Sequence, residues 1–395
     1  MTRLLGRLFV LGMVCTGGAS IGGCGKSGAG AATFTDAGID GPSGDAVGTI
    51  DAGLTVDGAR PPVDGPAADT VVGVDRPDGP IVADALDGHV GSADAADVSI
   101  ARLTTVTVEA LQVAGTHNSY HQAPLIAFDA SHKYTQPPLD QQLAGGVRAL
   151  ELDVHLNSDG TYDVYHIVLI DPNSSCQKLD DCLNIIATWS TAHPRHVPIF
   201  IWLEIKDDTG GSPISDLVPL EAVILKAFSR DHIITPAWLR GTHASPRERL
   251  MTEGWPTVDD ARGMVMFTII NRDTRTQSYD HSGTSLDDRL MWVNAAPAEF
   301  GLPWAVITKD EEGPADIASA HAGHLLIGVN SCAINMTDDA CTTRLQTLGP
   351  EGFHMLDDDL PFQIPGRNYW LHLPAGSPGC NPLLAPLSCN AGTLE

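Results

Sequence analysis

The sequence predicts an α/β fold, a (β/α)8 TIM-type barrel preceded by a disordered acidic linker. Three observations lead there. Apolar runs recur at spacings that leave room for a helix between them, polar residues sit late in those runs, and no Gly-x-Gly-x-x-Gly loop occurs after residue 103 to mark a dinucleotide-binding sheet. The runs are Val113 to Gly115, Val147 to Val154, Tyr162 to Ile167, Ile199 to Ile205, Met264 to Ile270, Leu325 to Val329 and His354 to Leu356. Helices fit Cys182 to His193 and Pro219 to Ser229. Active sites of such barrels lie at the C-terminal strand ends, so the late polar residues are the candidates for chemistry.

The barrel is expected over residues 104–395. Before it, Arg3 precedes and Arg7 falls early in the largely apolar stretch Leu4 to Val14, and Ile21-Gly22-Gly23 leads into Cys24. That order reads as a lipoprotein-type signal peptide over 1–23, with Cys24 lipidated as the mature terminus. The alternative is an ordinary signal cut nearby. From 24 to 103 the chain is rich in Asp, Gly, Ala, Val and Pro, with aromatics nearly absent. It cannot bury enough apolar surface to offset its chain entropy, and it reads as an extended tether. Its Asp-Gly pairs lack the fixed period and the bidentate Glu of a calcium-binding repeat.

The net charge is −26, of which thirteen Asp against Lys26, Arg60 and Arg76 place −10 in the tether. No long basic run occurs. Nucleic-acid binding and docking to anionic membranes through a basic patch are therefore poor readings. Beyond the signal and Cys24 there are six cysteines: Cys176, Cys182, Cys332, Cys341, Cys380 and Cys389. Their even number and close pairwise spacing predict three neighbour-to-neighbour disulfides in an exported domain. A zinc site is the alternative, but no Cys-x-x-Cys occurs.

The chemistry is carried by His117-Asn118, Glu151-x-Asp153, His166 and Glu204, each late in an apolar run. Two imidazoles can shuttle protons near neutral pH, and an oxygen-rich set favours a hard cation such as calcium or magnesium. In the second run Glu151, Asp153 and His155 share one face, opposite Leu150, Leu152 and Val154. Trp202, Glu204 and Lys206 share a face likewise. Carboxylates facing a barrel interior need a cation or an ion pair, such as Glu204 with Lys206 or Arg148. Lys206 is also a candidate phosphate contact, and His155 a candidate substrate contact that could simply line the mouth. His193 and His196 read as loop residues, and His121 as shaping the first motif. Asp359 could orient His117, although Asp357-Asp358-Asp359 reads more simply as a solvated loop.

These residues resemble the calcium-dependent phosphatidylinositol-specific phospholipases C, in their secreted bacterial branch. The blocks are Gly115-Thr116-His117-Asn118-Ser119-Tyr120, Gly146 to Asp153, Tyr165-His166 and Pro198 to Glu204. Trp189-Ser190, Gly254-Trp255-Pro256 and Cys380-Asn381-Pro382 are similar too. The resemblance implies His117 and His166 as catalytic histidines, Asn118, Glu151, Asp153 and Glu204 as Ca2+ ligands, and Glu151 as the acceptor of a hydroxyl proton. It also implies a phospholipid substrate at a membrane interface, converted to diacylglycerol and a cyclic inositol phosphate, by a chain expected to act as a monomer. One departure stands out: the stretch Val329 to Ala333 has no arginine where relatives carry them. A glycerophosphodiester phosphodiesterase is the enzyme rival, although its first motif usually reads His-Arg. A surface barrel that binds lipid or glycan without catalysis is the other.

Overall fold

The computed structural model of this protein describes residues 105–206, 214–310, 313 and 316–395; the expected signal peptide and tether lie outside them. In chain order the elements are β1 (Leu111–Thr116), α1 (Leu139–Ala144), β2 (Val147–Leu156), β3 (Tyr162–Val164), α2 (Leu179–Ala192) and β4 (Ile199–Ile205). There follow α3 (Val218–Ala227), α4 (Pro236–Arg240), α5 (Pro246–Glu253), β5 (Val265–Ile269), α6 (Thr274–Tyr279), β6 (Trp292–Val293) and β7 (Ile307–Asp310). Then come α7 (Ile317–Ala322), β8 (Leu326–Cys332), α8 (Asp338–Leu348), β9 (Met355–Asp358) and β10 (Gly379–Cys380).

Eight strands run in the order β6-β5-β4-β2-β1-β9-β8-β7, each paired in parallel with its neighbours. The expected barrel is present and nearly closed. At the seam between β6 and β7, Ala295 donates its N–H to the Ile307 carbonyl at 3.1 Å. The Asn294 side chain imitates a ladder residue there. It accepts from Lys309 N at 2.8 Å and donates to Lys309 O at 2.9 Å.

Sequence and structure differ most at Tyr162 to Ile167. This run is no barrel strand, because β3 pairs antiparallel with β2, with Val154 opposite Val164. The connection from Leu156 to Tyr162 is too short for a parallel crossover, so the chain turns back as a hairpin. Strands β6 and β7, at two and four residues, were not anticipated.

The parallel strands are buried on both faces, as helices outside and side chains inside require. Trp202 fills the interior, and Gly328 makes room for it: a Cβ there would lie 2.8 Å from Trp202 Cζ2. Gly115 is required for the same reason, since its Cβ would fall on Asp357 Oδ1. Helix α5 starts with Pro246 after Ser245, whose hydroxyl caps Glu248 N at 3.0 Å. The three disulfides are Cys176–Cys182, Cys332–Cys341 and Cys380–Cys389, as their spacing suggested. Among the described residues no helix is long and apolar enough to cross a membrane.

Candidate active site at the barrel mouth

The turn after β1 presents the first motif. Asn118 sits at φ 44°, a left-handed conformation that asparagine tolerates better than most residues, and this turns the chain directly after His117. Ser119 ties the turn to β2: its N–H reaches Glu151 O at 3.0 Å, and its hydroxyl accepts from Glu151 N at 2.7 Å. The Asn118 side-chain Oδ1 accepts from Tyr120 Oη at 3.0 Å.

His117 is held from behind. Its Nδ1 lies 2.8 Å from Asp359 Oδ1, while Nε2 faces Glu151 Oε1 at 3.8 Å and Asn118 Nδ2 at 3.3 Å. Asp359 is fixed in turn, accepting from Ile334 N at 2.8 Å, with its own N–H on Cys332 O at 3.1 Å. The three-acid run is therefore a buried strand end and not a solvated loop. Burial disfavours the His117 cation, but the charges of Asp359 and Glu151 outweigh it and raise the pKa to about 10.

Glu151, Asp153 and Glu204 each offer an oxygen within 4.8 Å of the others. Strand register explains this: Asp153 and Glu204 are direct partners across β2 and β4, and Glu151 lies two residues back on the same face. Lys206 Nζ pairs with Glu204 Oε1 at 2.7 Å and lies 3.3 Å from Asp153 Oδ2. The ion pair with Lys206 is therefore real; Arg148 instead clamps Glu395 with Nε and Nη2 at 2.7 and 2.5 Å. Even so, both Asp153 oxygens are buried without a hydrogen-bond partner. A buried carboxylate without a hydrogen bond, met by Lys206 at 3.3 Å and set between two other carboxylates, is part of a donor set that fits a hard cation. Burial, with the charges of Glu204 and Glu151 adding to it and Lys206 opposing, holds the Asp153 carboxyl above its ordinary range.

His166 reaches the mouth because the β2–β3 hairpin brings the chain back beside Val154. Its Nδ1 lies 2.9 Å from Asp171 Oδ2. Asp171 also meets His121 Nε2 at 2.8 Å, and His121 Nδ1 contacts the Tyr134 carbonyl at 3.0 Å. Burial works against the Asp171 carboxylate, yet bonds from His121 and His166 hold it at about 2. His155 does not line the mouth. It is buried, its Nε2 is 2.7 Å from Tyr165 O, and its ring stacks on Tyr165 at 3.6 Å, where it supports the segment bearing His166. His193 and His196 sit at the C-terminal end of α2 and in the loop before β4, at the strand end opposite Glu204.

Lys309 and Asp171 escaped the sequence reading, and Asp357 entered it only as part of a solvated loop, whereas it is buried. Lys309 projects from β7 beneath the carboxylates, bonding Glu151 and lying 2.6 Å from Asp357 Oδ2. Its signal was the run Ala305 to Thr308 ending on a charge; no local pattern pointed to Asp171. Around the mouth two loops carry apolar side chains in solvent. Leu125, Ile126 and Phe128 follow β1, and Leu169 follows β3, at 100, 70, 76 and 86 % exposure. The loops are joined through His121, Asp171 and the Ser175 N to Tyr120 O bond of 2.8 Å.

The mouth of the parallel barrel thus gathers two aspartate-backed histidines around a carboxylate cluster, a set of groups suited to acid–base and metal-assisted chemistry. Residues 158–328 match the family described as phosphoinositide phospholipase C, Ca2+-dependent. Ca2+ is the cofactor of that family. Among solved structures, the chain is similar to the Ca2+-dependent phosphatidylinositol-specific phospholipase C of Streptomyces antibioticus. Identity is 20 % and the TM-score 0.50, over 65 % of this chain and 95 % of that one. The calcium-dependent phosphoinositol-specific phospholipase C of a Gram-negative Pseudomonas species aligns at 16 % identity and TM-score 0.46, over 65 and 91 %. No curated protein sequence matches significantly.

Proposed function

We propose that this protein is an exported, calcium-dependent phosphodiesterase that cleaves phosphatidylinositol, or a related inositol phosphodiester, to diacylglycerol and a cyclic inositol phosphate. The observation that carries the reading is the pairing of two histidines, each backed by an aspartate, with three clustered carboxylates at one mouth. Asn118, Glu151, Asp153 and Glu204 would hold the Ca2+, which supplies Lewis acidity and charge neutralisation at the phosphoryl group.

The protein's own groups do the proton work. The inositol 2-hydroxyl oxygen bonds to phosphorus as its proton passes to the Glu151 carboxylate. The phosphorus–oxygen bond to diacylglycerol breaks, and that oxygen takes a proton from His166 Nε2. Asp171 fixes the His166 ring by its Nδ1, which leaves Nε2 for the leaving group. Asp359 does the same for His117, whose Nε2–H is the donor to a phosphoryl oxygen. Exchange with water restores both proton inventories. Lys206 Nζ stands beside the cluster as a further phosphate contact. The exposed apolar side chains around the mouth suit a substrate embedded in a membrane interface. A lipid anchor at Cys24, with the acidic stretch as its tether, would keep the enzyme at the cell envelope as a monomer.

The decisive experiment is a substrate panel on the purified protein with calcium or with chelator. Cyclic inositol phosphate should appear only with calcium, and His117→Ala and His166→Ala should abolish it. Activity surviving chelation would sink the metal assignment; turnover of glycerophosphodiesters alone would favour the rival enzyme. Mass spectrometry of the mature N-terminus tests the anchor, which fails if the terminus is unmodified and lies away from Cys24.

A further inference from the structure

We propose that the mouth contains a second cation site, for a transition-metal ion of the zinc class, built from His132, His166 and Asp171, and that filling it withdraws His166 from catalysis. The three residues each offer a ligand atom, and these lie within 4.8 Å of one another. They come from both loops of the mouth: His132 from the β1–α1 connection, His166 and Asp171 from the segment after β3.

The donor set is different in kind from the all-oxygen cluster beside it. Two imidazoles and one carboxylate suit a borderline ion such as zinc, which takes nitrogen and oxygen at about 2.0–2.2 Å in a tetrahedron and leaves a fourth place for water. In such a tetrahedron ligand atoms sit roughly 3.3 Å apart. The His166 Nδ1 to Asp171 Oδ2 separation is 2.9 Å, so an ion replacing the shared proton spreads this pair by only a few tenths of an ångström. The His132 ring stands edge-on to His166 with centroids 5.4 Å apart, and rotation of its side chain closes the third bond.

An independent observation points to a missing ligand. His132 is buried, 8 % exposed, and its Nδ1 has no hydrogen-bond partner. A buried, unpartnered imidazole nitrogen beside an aspartate-bound histidine is costly unless something coordinates it. The support expected around a metal ligand is already built. His121 orients the Asp171 carboxylate through Nε2 at 2.8 Å and is itself tied to Tyr134 O.

The site itself does not depend on the reaction assigned above; the inhibitory consequence does. The test is calorimetric titration of zinc chloride into the full chain with calcium saturating. One zinc per chain is expected, with affinity at least tenfold weaker in His132→Gln and in Asp171→Asn and unchanged in Glu204→Gln. Equal zinc affinity in wild type and His132→Gln, or loss of binding in Glu204→Gln alone, overturns the proposal. Should the variants fold poorly, cobalt(II) titrated into the wild-type chain decides: the intense visible absorption of a tetrahedral centre supports the site, and a weak octahedral spectrum overturns it. Zinc that binds as described yet leaves phosphatidylinositol turnover intact would overturn the role given to His166 and not the site.

Discussion

Asp359 Oδ1 accepts the Nδ1–H of His117 at 2.8 Å, joining the end of β9 to the turn after β1 across 242 residues of sequence. The other oxygen of the same carboxylate is occupied by Ile334 N at 2.8 Å, so the group has one orientation. In Asp359→Asn the amide oxygen should keep Ile334 and turn its NH2 toward His117, so that Nδ1 can no longer carry a proton and the ring loses the positive charge behind its Nε2–H. Turnover of phosphatidylinositol should then fall by about 10²-fold or more with little change in KM. A loss confined to KM would mean that Asp359 does not set the ring.

Lys309 is buried with two carboxylates as its counter-charges. Burial opposes its charge, but Asp357 and Glu151 raise the pKa well above the ordinary lysine value. Lys309→Met leaves Asp357 without its ion-pair partner and strips Glu151 of its nearest one, and should destabilise the protein by about 3–5 kcal/mol in urea unfolding. Adding Asp357→Asn should recover part of that loss. A double variant no more stable than Lys309→Met would refute the pairing.

Asp153→Asn removes a charge from the carboxylate whose oxygens have no hydrogen-bond partner. Calcium affinity, read by terbium luminescence or calorimetry, should drop at least about tenfold. The same change in Asp159, exposed at the hairpin tip, should leave affinity unaltered.

His354 lies buried at the opposite end of β9, and its Nδ1 accepts Ile327 N–H at 2.9 Å, which requires a neutral ring. Burial and the neighbouring His321 lower its pKa to about 3. An unfolded histidine titrates near 6.5, so below that pH the unfolded chain binds a proton the folded one refuses. The stability this residue contributes is complete above about pH 6.5 and is lost as pH falls toward 3. In His354→Asn, whose side-chain oxygen can accept the same N–H, the decline between pH 6 and 4 should be shallower by about 1 kcal/mol per pH unit. Parallel stability curves would contradict the assignment.

Phe128 and Leu169 are exposed on the two loops at the mouth, and Leu169 adopts φ 67°, a backbone that bulky side chains avoid. Burying such a side chain in lipid contributes roughly 1.5–3 kcal/mol. Phe128→Ser with Leu169→Ser should therefore weaken binding to phosphatidylinositol vesicles at least tenfold, measured by sedimentation. Turnover of a monomeric short-chain substrate should stay within twofold. Equal losses on both substrates would make the loops part of the site and not a membrane contact.

Much of the fold was legible because its signals are local. A buried parallel strand is a short apolar run, and cysteines six or nine residues apart can pair with no knowledge of the rest. The inward face of Glu151 and Asp153 was legible for the same reason, since side chains alternate along a strand whatever lies opposite. The errors came where meaning depended on a partner. Tyr162 to Ile167 is as apolar as a barrel strand, and only the short turn before it makes it a hairpin return. His155 has the right parity, but the strand continues past the mouth and Tyr165 covers it.

The sequence by itself determined the parallel barrel, the disulfide pairs and the presence of two histidines with a carboxylate cluster, because periodicity and spacing are properties of neighbours along the chain. Tertiary structure alone decided that Asp359 backs His117, that Asp171 backs His166 and that Lys309 stands between Glu151 and Asp357. Those groups lie on separate strands and loops, and nothing in a four-residue run such as Ile307–Asp310 distinguishes a lysine aimed at the barrel centre from one at the surface. Register and loop packing bring them together, and both are set by the whole chain.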